Sequence, residues 1–367
     1  MGKIRVLIVD DAVVVRRIVA DVLSADPDIE VVGTAANGRL ALAKLAQLAP
    51  DLVTLDIEMP ELDGLETLVE LRKTHPRLPV IMFSTLTERG ASATLEALAR
   101  GATDYVTKPA NVGSVTLAQE RIREELIPKI RALCGRVRLT KPAPPPVPRT
   151  PPLPSRPVLP VRVDLLVVGV STGGPNALTA ILPALPREFP VPIVIVQHMP
   201  PLFTRFLAER LDGLSELTIR EGEEGGLLEP GTAWLAPGSS HMVLRKDGEQ
   251  LRLSLNQDPP ENSCRPAVDP LFRSAAALCG NRTLALILTG MGQDGLRGAE
   301  EICRVGGRIV AQDEGSSVVW GMPGAVATAG LADAVLPLDA IAADLMQCAA
   351  VGRLPRLPGA QPSLHIR

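Results

Sequence analysis

The sequence has no apolar run long enough to cross a membrane, because its longest apolar stretches are strand-sized and interrupted. Its first residues, MGKIRVLIVDD, lead directly into acidic residues and do not have the pattern of a secretory signal peptide. It has no basic tract, and its formal net charge is −3 at pH 7. These absences argue against membrane insertion and against nucleic acid as a partner.

Metal-ligand spacing is absent among the cysteines. The chain has five, at positions 134, 264, 279, 303 and 348. This scatter does not match a zinc site or a disulfide framework. We therefore predict buried free thiols and a reducing, cytoplasmic location.

Proline, in contrast, is concentrated in one place. Ten prolines fall within residues 142–160. Because proline fixes φ and has no N–H donor, we predict an extended, semi-rigid spacer here, with a ligand for a proline-recognition domain as the alternative. A chain of 367 residues can form two domains. We predict a first domain over residues 1–135, a proline-rich linker over 136–162, a second domain over 163–350 and a tail over 351–367.

The first segment alternates strand and helix patterns. Short apolar runs predict buried strands at residues 4–9, 31–33, 52–55, 80–83 and 104–107. Helical spacing of apolar residues lies between them, at residues 14–23, 40–48 and 65–71. The pattern predicts an α/β fold of the (βα)5 type, with a parallel sheet and binding groups at the carboxyl ends of its strands.

The second segment repeats this alternation less regularly. Strands are predicted at residues 165–170, 193–197, 284–289 and 308–311. Residues 232–255 differ, because an Asp247-Gly248 turn is flanked by alternating apolar residues, which is typical of a β-hairpin. We predict a doubly wound α/β domain with a mostly parallel sheet and an antiparallel hairpin insertion.

Acidic residues follow two strands of the first segment. Asp10 and Asp11 follow the first strand, and Asp56 ends the third. Three carboxylates at one sheet edge repel each other unless a hard cation such as Mg²⁺ binds or their pKa values rise. Ser84 ends the fourth strand and Lys108 follows the fifth. Each residue alone is typical of a solvated loop, but together they favour phosphorylation of Asp56, with Mg²⁺ and Lys108 neutralising the phosphoryl oxygens.

The most informative stretch of the second segment is LLVVGVSTGGP, where a predicted strand ends in small residues around Ser171. Residues 169–173 fit the G-x-S-x-G form of a nucleophile elbow. Glycine-rich turns after a strand more often hold a phosphate or only turn the chain. A catalytic role for Ser171 therefore requires a base and an acid from other parts of the chain.

The chain has only four histidines, so the candidates for a base are few. His75 precedes a proline, His365 lies in the polar tail, and His241 lies in the predicted hairpin. His198 alone ends a predicted parallel strand, although a histidine there is often structural. Asp294 is the one carboxylate in the loop GMGQDG after residues 284–289.

Asp294 either accepts the Nδ1 proton of His198 or caps the following helix, and the two roles do not exclude each other. The order Ser171, His198, Asp294 differs from the Ser, Asp, His order of α/β-hydrolases. The elbow pattern therefore does not imply that fold.

The first segment resembles a response-regulator receiver domain across residues 3–134. The matching residues are Asp10-Asp11, Asp56 with the following IEMPELDG, Ser84, Tyr105 and Lys108-Pro109. The resemblance implies that Asp56 is the phospho-acceptor, and that Asp11, Asp56 and the main-chain carbonyl of Glu58 hold Mg²⁺ beside Asp10. It also implies that Ser84, Tyr105 and Lys108 act in the switch on phosphorylation.

The second segment, residues 163–350, resembles the catalytic domain of chemotaxis protein-glutamate methylesterases. The matching motifs are GVSTGGP, IVQHMP, APGSSHM, RPAVDPLFRS, LTGMGQDG and AQDEGSSVVWGMPGAVA, with Val170 as a departure from the alanine expected there. The resemblance implies a triad of Ser171, His198 and Asp294, and backbone N–H groups at Thr172 and Met291 for the oxyanion. It implies no cofactor for the ester chemistry.

The two resemblances together imply a phosphorylation-regulated hydrolase that demethylates glutamate esters on chemoreceptors and deamidates receptor glutamines. The implied partners are methylated chemoreceptors and a chemotaxis histidine kinase, and we expect a cytoplasmic monomer. An unmodified receiver is expected to cover the Ser171 edge, so that the isolated fragment 160–350 is constitutively active. A phospho-switched module that binds a nucleotide at the glycine-rich turn and a non-catalytic receptor adaptor are the alternatives.

Overall fold

A computed structural model describes residues 2–108, 115–135 and 161–351. Most of the predicted proline-rich linker and nearly all of the predicted tail, including His365, lie outside the described residues. Among the helices of the described part, none is long and apolar enough to cross a membrane.

The N-terminal domain is a five-stranded parallel sheet with the strand order β2-β1-β3-β4-β5. Its strands are β1 (Ile4–Val9), β2 (Ile29–Ala35), β3 (Leu52–Asp56), β4 (Val80–Ser84) and β5 (Asp104–Thr107). Its helices are α1 (Val13–Ser24), α2 (Gly38–Leu48), α3 (Gly64–Thr74), α4 (Glu88–Ala99) and α5 (Val115–Cys134). The predicted (βα)5 fold is confirmed.

Local sequence explains these elements. Every residue of β3 and β4 is buried, because helices cover both faces of a parallel sheet. Helix α3 begins at a capping box in which the Asp63 carboxylate accepts the Glu66 N–H and the Glu66 side chain accepts the Asp63 N–H. Strand β2 is longer than predicted, since its polar residues Glu30 and Thr34 interrupt the apolar pattern without ending the pairing with β1.

The C-terminal domain contains a seven-stranded parallel sheet with the order β14-β13-β12-β6-β7-β9-β8. The strands of this domain are β6 (Leu165–Val170), β7 (Ile193–Gln197), β8 (Thr218–Glu221), β9 (Thr232–Leu235), β10 (His241–Asp247), β11 (Gln250–Asn256), β12 (Thr283–Ile287), β13 (Arg308–Gln312) and β14 (Ala334–Leu336). Its helices are α6 (Gly174–Ile181), α7 (Phe203–Leu214), α8 (Val268–Cys279), α9 (Leu296–Arg304), α10 (Met322–Thr328) and α11 (Leu338–Ala350).

The predicted hairpin is present but begins later than the pattern indicates. Strands β10 and β11 pair antiparallel around the Asp247–Gln250 turn and form a two-stranded sheet of their own. Residues of β9, which fall inside the predicted hairpin segment, pair parallel with β7 and β8 instead. The buried side chains of Met242, Leu244 and Leu253 hold the hairpin against the core that includes α8.

The cysteines are free, and Cys279 and Cys348 are buried. The prediction that all five are buried is wrong for Cys303, which is exposed, and Cys134 and Cys264 are half-buried.

The two domains meet through helix α4 of the first and helices α6 and α7 of the second. The Tyr105 ring stacks on the Phe203 ring, with centroids 5.0 Å apart and an interplanar angle of 8°. The Asn176 amide donates to the Leu98 carbonyl at 3.1 Å, and Arg205 pairs with Glu88 at 2.7 Å. The N-terminal domain therefore lies against the edge of the second domain that follows β6 and β7.

Candidate functional site

The strand order of the seven-stranded sheet brings the three predicted catalytic residues to one edge of the sheet, at the carboxyl ends of its strands. Strand β6 lies between β12 and β7, so the chain connections run in opposite directions from β6. Ligands of open α/β sheets bind outside the carboxyl ends of the strands at such a switch point. Ser171 follows β6, His198 follows β7, and Asp294 lies in the loop that follows β12.

Hydrogen bonds fix the turn that carries Ser171. The Ser171 N–H donates to the Thr289 carbonyl at 3.0 Å, and the Ser171 carbonyl accepts from the Gly174 N–H at 2.8 Å. The left-handed conformation falls on Gly173, with φ at 78°, and Ser171 has no positive φ. The turn therefore differs from the strained elbow that G-x-S-x-G suggests.

His198 and Asp294 form a short, buried pair. The His198 Nε2 atom lies 2.7 Å from Asp294 Oδ2, so the expectation of a contact through Nδ1 is wrong. Asp294 Oδ2 also accepts the Val268 N–H at 2.7 Å, and Oδ1 accepts the Asp269 N–H at 3.1 Å. The carboxylate thus caps the start of α8, not the following helix α9.

The environment shifts the pKa values of both partners. Burial lowers the pKa of His198, but the Asp294 carboxylate and the neighbouring Cys264 thiol outweigh it and raise that pKa to about 10. Burial opposes ionisation of Asp294, yet His198 and the backbone N–H groups at the start of α8 hold its pKa below the ordinary value. The pair therefore favours an imidazolium beside a carboxylate in this conformation.

The predicted oxyanion donors are the backbone N–H groups of Thr172 and Met291. Among the described residues, neither the Thr172 N–H nor the Met291 N–H donates a hydrogen bond. The peptide that carries the Thr172 N–H is oriented through its Ser171 carbonyl, which accepts from the Gly174 N–H and the Gln197 amide. The next carbonyl, that of Thr172, accepts from the Thr289 hydroxyl at 2.9 Å. A Cβ atom at Gly290 would lie 2.8 Å from the Ser171 Cβ, so only glycine permits this close approach of the two loops.

A cleft of about 720 Å³ contains these groups and has walls from both domains. Ser171, His198, Cys264 and Met291 line one side. The other side is formed by residues of β5 and α5, including Tyr105. Within the described residues, the Ser171 hydroxyl makes no hydrogen bond, so it is not engaged with His198 in this conformation.

The N-terminal domain carries a second cluster, at the carboxyl ends of its strands. One carboxylate oxygen from each of Asp10, Asp11 and Asp56 lies within 4.8 Å of the others. The Lys108 ammonium lies 2.9 Å from Asp10 Oδ2 and 2.8 Å from Asp56 Oδ2. Burial raises the pKa of Asp56 to about 6, with Lys108 opposing and the Asp10 charge reinforcing the shift.

This cluster fits Mg²⁺. Three converging carboxylates are the hard oxygen ligands that the ion prefers, and Lys108 alone leaves an excess of negative charge. A cavity of about 180 Å³ beside Asp56 is lined by Asp11, Glu58 and Lys108 among others. The Glu58 N–H lies 3.4 Å from Asp56 Oδ1, and its side chain pairs with Arg89 at 3.3 Å.

The predicted switch residues occupy different surroundings. The buried Ser84 hydroxyl donates to the Gly90 carbonyl of α4 at 3.1 Å and accepts from the Thr94 hydroxyl at 2.6 Å. Tyr105 faces the second domain, where it stacks on Phe203. The remaining histidine of the second domain, His241, is buried and hydrogen-bonded between Ala267 N and Pro259 O.

Sequence reasoning missed four residues of the second domain site. The Asn262 amide donates to Asp294 Oδ1 at 2.9 Å and to Asp269 Oδ2 at 3.0 Å. Cys264 lies beside His198, and the Gln197 amide donates to the Ser171 carbonyl. Gln197 and Asp269 fall inside quoted motifs, but the pattern alone does not say which positions of a motif touch the site.

Comparison with known proteins agrees with the resemblances found for the first and the second segment of the chain. The family model of the CheB methylesterase matches residues 166–345, and that of the response regulator receiver domain matches residues 6–119. A protein-glutamate methylesterase/protein-glutamine glutaminase of Trichodesmium erythraeum is 53% identical over 349 residues, which cover 95% of this chain and 99% of that protein. A protein of the same description from a Nocardioides species is 54% identical over 368 residues, which cover 99% of this chain and 98% of that protein.

The crystal structure of the Thermotoga maritima CheB methylesterase catalytic domain is also similar. The match covers 51% of this chain and 99% of the compared chain, with 45% sequence identity and a TM-score of 0.50. Fold and site together define a response regulator whose receiver domain is joined to a hydrolase domain. The chain belongs to the protein-glutamate methylesterase/protein-glutamine glutaminase family.

Proposed function

We propose that the chain hydrolyses methyl esters of glutamate side chains on chemoreceptors, with Ser171 as nucleophile, His198 as base and Asp294 as the group that orients His198. The observation that carries this proposal is the 2.7 Å His198–Asp294 pair at the strand ends that flank β6. Such triads recur on unrelated folds and are recognised by geometry and roles.

The chemistry follows from these groups. In its neutral form His198 takes the Ser171 proton, and Oγ attacks the ester carbonyl. The N–H groups of Thr172 and Met291 donate to the oxyanion of the tetrahedral intermediate, which collapses as His198 protonates the methoxy oxygen and methanol leaves. Water then attacks the glutamyl-serine ester by the same route, which releases the glutamate carboxylate and restores the Ser171 hydroxyl. The ester chemistry uses no cofactor.

The same site would deamidate selected receptor glutamines. Attack of Ser171 on a side-chain amide gives an equivalent tetrahedral intermediate, and His198 then protonates its nitrogen so that ammonia leaves. The same glutamyl-serine ester remains, and water hydrolyses it to the glutamate carboxylate. Release of ammonia from unmodified receptor, lost in Ser171→Ala, is the corresponding measurement.

Phosphorylation of Asp56 would regulate access to Ser171. Bound Mg²⁺ would neutralise phosphoryl oxygens during transfer from a chemotaxis histidine kinase. Asp10, Asp11, Asp56 and the Glu58 carbonyl would hold the ion, and Lys108 would contact the phosphoryl group. Reorientation of Ser84 and Tyr105 would then disturb the stack on Phe203 and open the cleft. We expect a monomeric, cytoplasmic protein with residues 136–162 as linker.

Methanol release from methylated receptor tests this function. The full chain, with and without acetyl phosphate as phosphodonor, is compared with Ser171→Ala and Asp56→Asn. We expect phosphodonor-stimulated release by the wild type, none above background by Ser171→Ala, and unstimulated release by Asp56→Asn. Equal release by wild type and Ser171→Ala would refute the catalytic assignment.

A further inference from the structure

Gln197 is the last residue of β7 and lies between the nucleophile and the base. In the sheet it is paired with Val170, the residue before Ser171. Its side chain is 2% exposed. The Nε2 atom lies 3.0 Å from the Ser171 carbonyl oxygen and 3.3 Å from the His198 carbonyl oxygen. One amide group therefore donates to the main chain of both residues.

No other side chain in the described part of the chain hydrogen-bonds to both Ser171 and His198. Asp294 orients the His198 ring, and the α6 turn holds the Ser171 main chain through Gly174. The β6–β7 ladder and the bond from the His198 N–H to the Val170 carbonyl at 3.3 Å bring the two strand ends together. Beyond the ends of the strands, the planar NH2 group of Gln197 adds a side-chain link that fixes the positions of the Ser171 and His198 carbonyl oxygens at once.

The oxygen of the Gln197 amide indicates that the contact of its NH2 group with the two carbonyls lowers the stability of the folded protein. Its Oε1 atom is buried and has no hydrogen-bond partner among the residues that the structure describes. A Cβ atom at Gly174 would lie 1.9 Å from Oε1, so the amide fits only because residue 174 is glycine. A buried unsatisfied carbonyl is unfavourable, and an apolar side chain would avoid it. Such local costs in a folded protein cluster at functional sites.

We propose that Gln197 is a positioning residue that holds the Ser171 and His198 main chains at the separation required for proton transfer. Its amide contacts the two main-chain carbonyls and no group that forms or breaks a bond, so it acts through the positions of Ser171 and His198. The inference rests on the proposed function, since it presupposes that Ser171 and His198 react together. Displacement of reacting groups by about 1 Å lowers rates by up to about 100-fold.

The test uses the phosphodonor-treated full chain and methanol release. Gln197→Met keeps the length of the side chain and removes both hydrogen bonds. We expect kcat to fall about 10- to 100-fold with KM changed less than about twofold. Val194→Ala is the control, because Val194 is a buried residue of the same strand that belongs to the core on the opposite face and is not among the residues that line the cleft. Its effect on kcat should be less than about twofold at a comparable loss of thermal stability.

Gln197→Glu separates positioning from general packing. The introduced carboxyl group has one O–H donor when it is protonated and restores one of the two bonds, whereas its ionised form repels both carbonyl oxygens. We expect the kcat of Gln197→Glu to fall with rising pH as the introduced carboxyl group ionises, a transition that the wild type lacks. Below that transition, kcat should be partly restored relative to Gln197→Met.

Three outcomes for Gln197→Met would overturn the proposal. They are a kcat within twofold of the wild type, a decrease in kcat no larger than that of Val194→Ala, and a change in KM without a change in kcat. Wild type and Ser171→Ala are measured in the same assay. Equal release from those two would instead identify a failure of the proposed function, so the two failures are distinguishable.

Discussion

The Tyr105 ring of the receiver domain lies parallel to the Phe203 ring of the hydrolase domain, at a centroid distance of 5.0 Å. Tyr105 belongs to β5, which ends beside the carboxylate cluster around Asp56, and Phe203 is the first residue of α7, which follows the His198 loop. The stack therefore links the two candidate sites through one pair of side chains.

Weakening this stack should raise basal activity. Phe203→Leu keeps an apolar side chain and removes an aromatic contact worth about 0.5–1.5 kcal/mol, so we expect methanol release without phosphodonor to rise about two- to tenfold. Phosphodonor-stimulated release should change little, because in the proposed open state the contact is already lost. Arg205→Gln removes the exposed pair with Glu88 in the same interface and should change basal release less than about twofold. Basal rates that are the same in Phe203→Leu and wild type would contradict a closing role for the stack.

The pH dependence of the unphosphorylated chain should reflect the pKa of His198. Only the neutral imidazole can take the Ser171 proton, and Asp294 and Cys264 raise its pKa to about 10. Basal kcat should therefore increase with pH from neutrality towards about 10. Asp294→Asn removes the ion pair, so the acid limb should move to lower pH while the maximal rate falls by up to about 10⁴-fold. NMR titration of the His198 ring checks the assignment, and a wild-type midpoint at or below 6.5 would contradict it.

Magnesium should lower the pKa of Asp56. Burial and the Asp10 charge raise that pKa to about 6 without metal, and a bound divalent cation favours the ionised carboxylate. NMR titration should give a midpoint near 6 without Mg²⁺ and a lower one with it. Asp10→Asn removes a like charge and should also lower the metal-free midpoint. A metal-free wild-type midpoint below about 4 would argue against the desolvated environment described for Asp56.

Alkylation of Cys264 should block the hydrolase. The Cys264 thiol is half-buried beside His198 in the cleft, so an N-ethylmaleimide adduct would occupy space that substrate needs. We expect loss of methanol release after treatment of the wild type, protection in Cys264→Ser, and no protection in Cys303→Ser, since Cys303 is exposed and lies outside the cleft lining. Inhibition of Cys264→Ser to the wild-type extent would show that another thiol is responsible.

Strand-end positions could be predicted from sequence because apolar runs determine where strands stop. From the ends of the apolar runs, the sequence correctly predicted that Asp56, Ser84 and Lys108 lie at one edge of the receiver sheet. The same rule identified Ser171 and His198 on neighbouring strands, since a buried parallel strand leaves a continuous apolar run. The β9 strand was misassigned because TAWL is too short and too close to the hairpin for its pairing partner to be read from its pattern.

Contacts between distant loops could not be predicted. Nothing in the order of residues indicates that the start of α8 donates N–H groups to Asp294, or that Asn262 bridges Asp294 and Asp269. These contacts depend on how two loops pack over the end of the sheet. The His198 ring nitrogen that meets Asp294 depends on side-chain torsions, so the expectation of Nδ1 had no sequence signal to support it.

The cleft shared by the two domains has a consequence for what can reach Ser171. Receiver residues of β5 and α5 form one of its walls, so a substrate that reaches Ser171 in this conformation must also fit against the receiver. A small ester and a receptor segment should therefore differ in how far the receiver limits their hydrolysis.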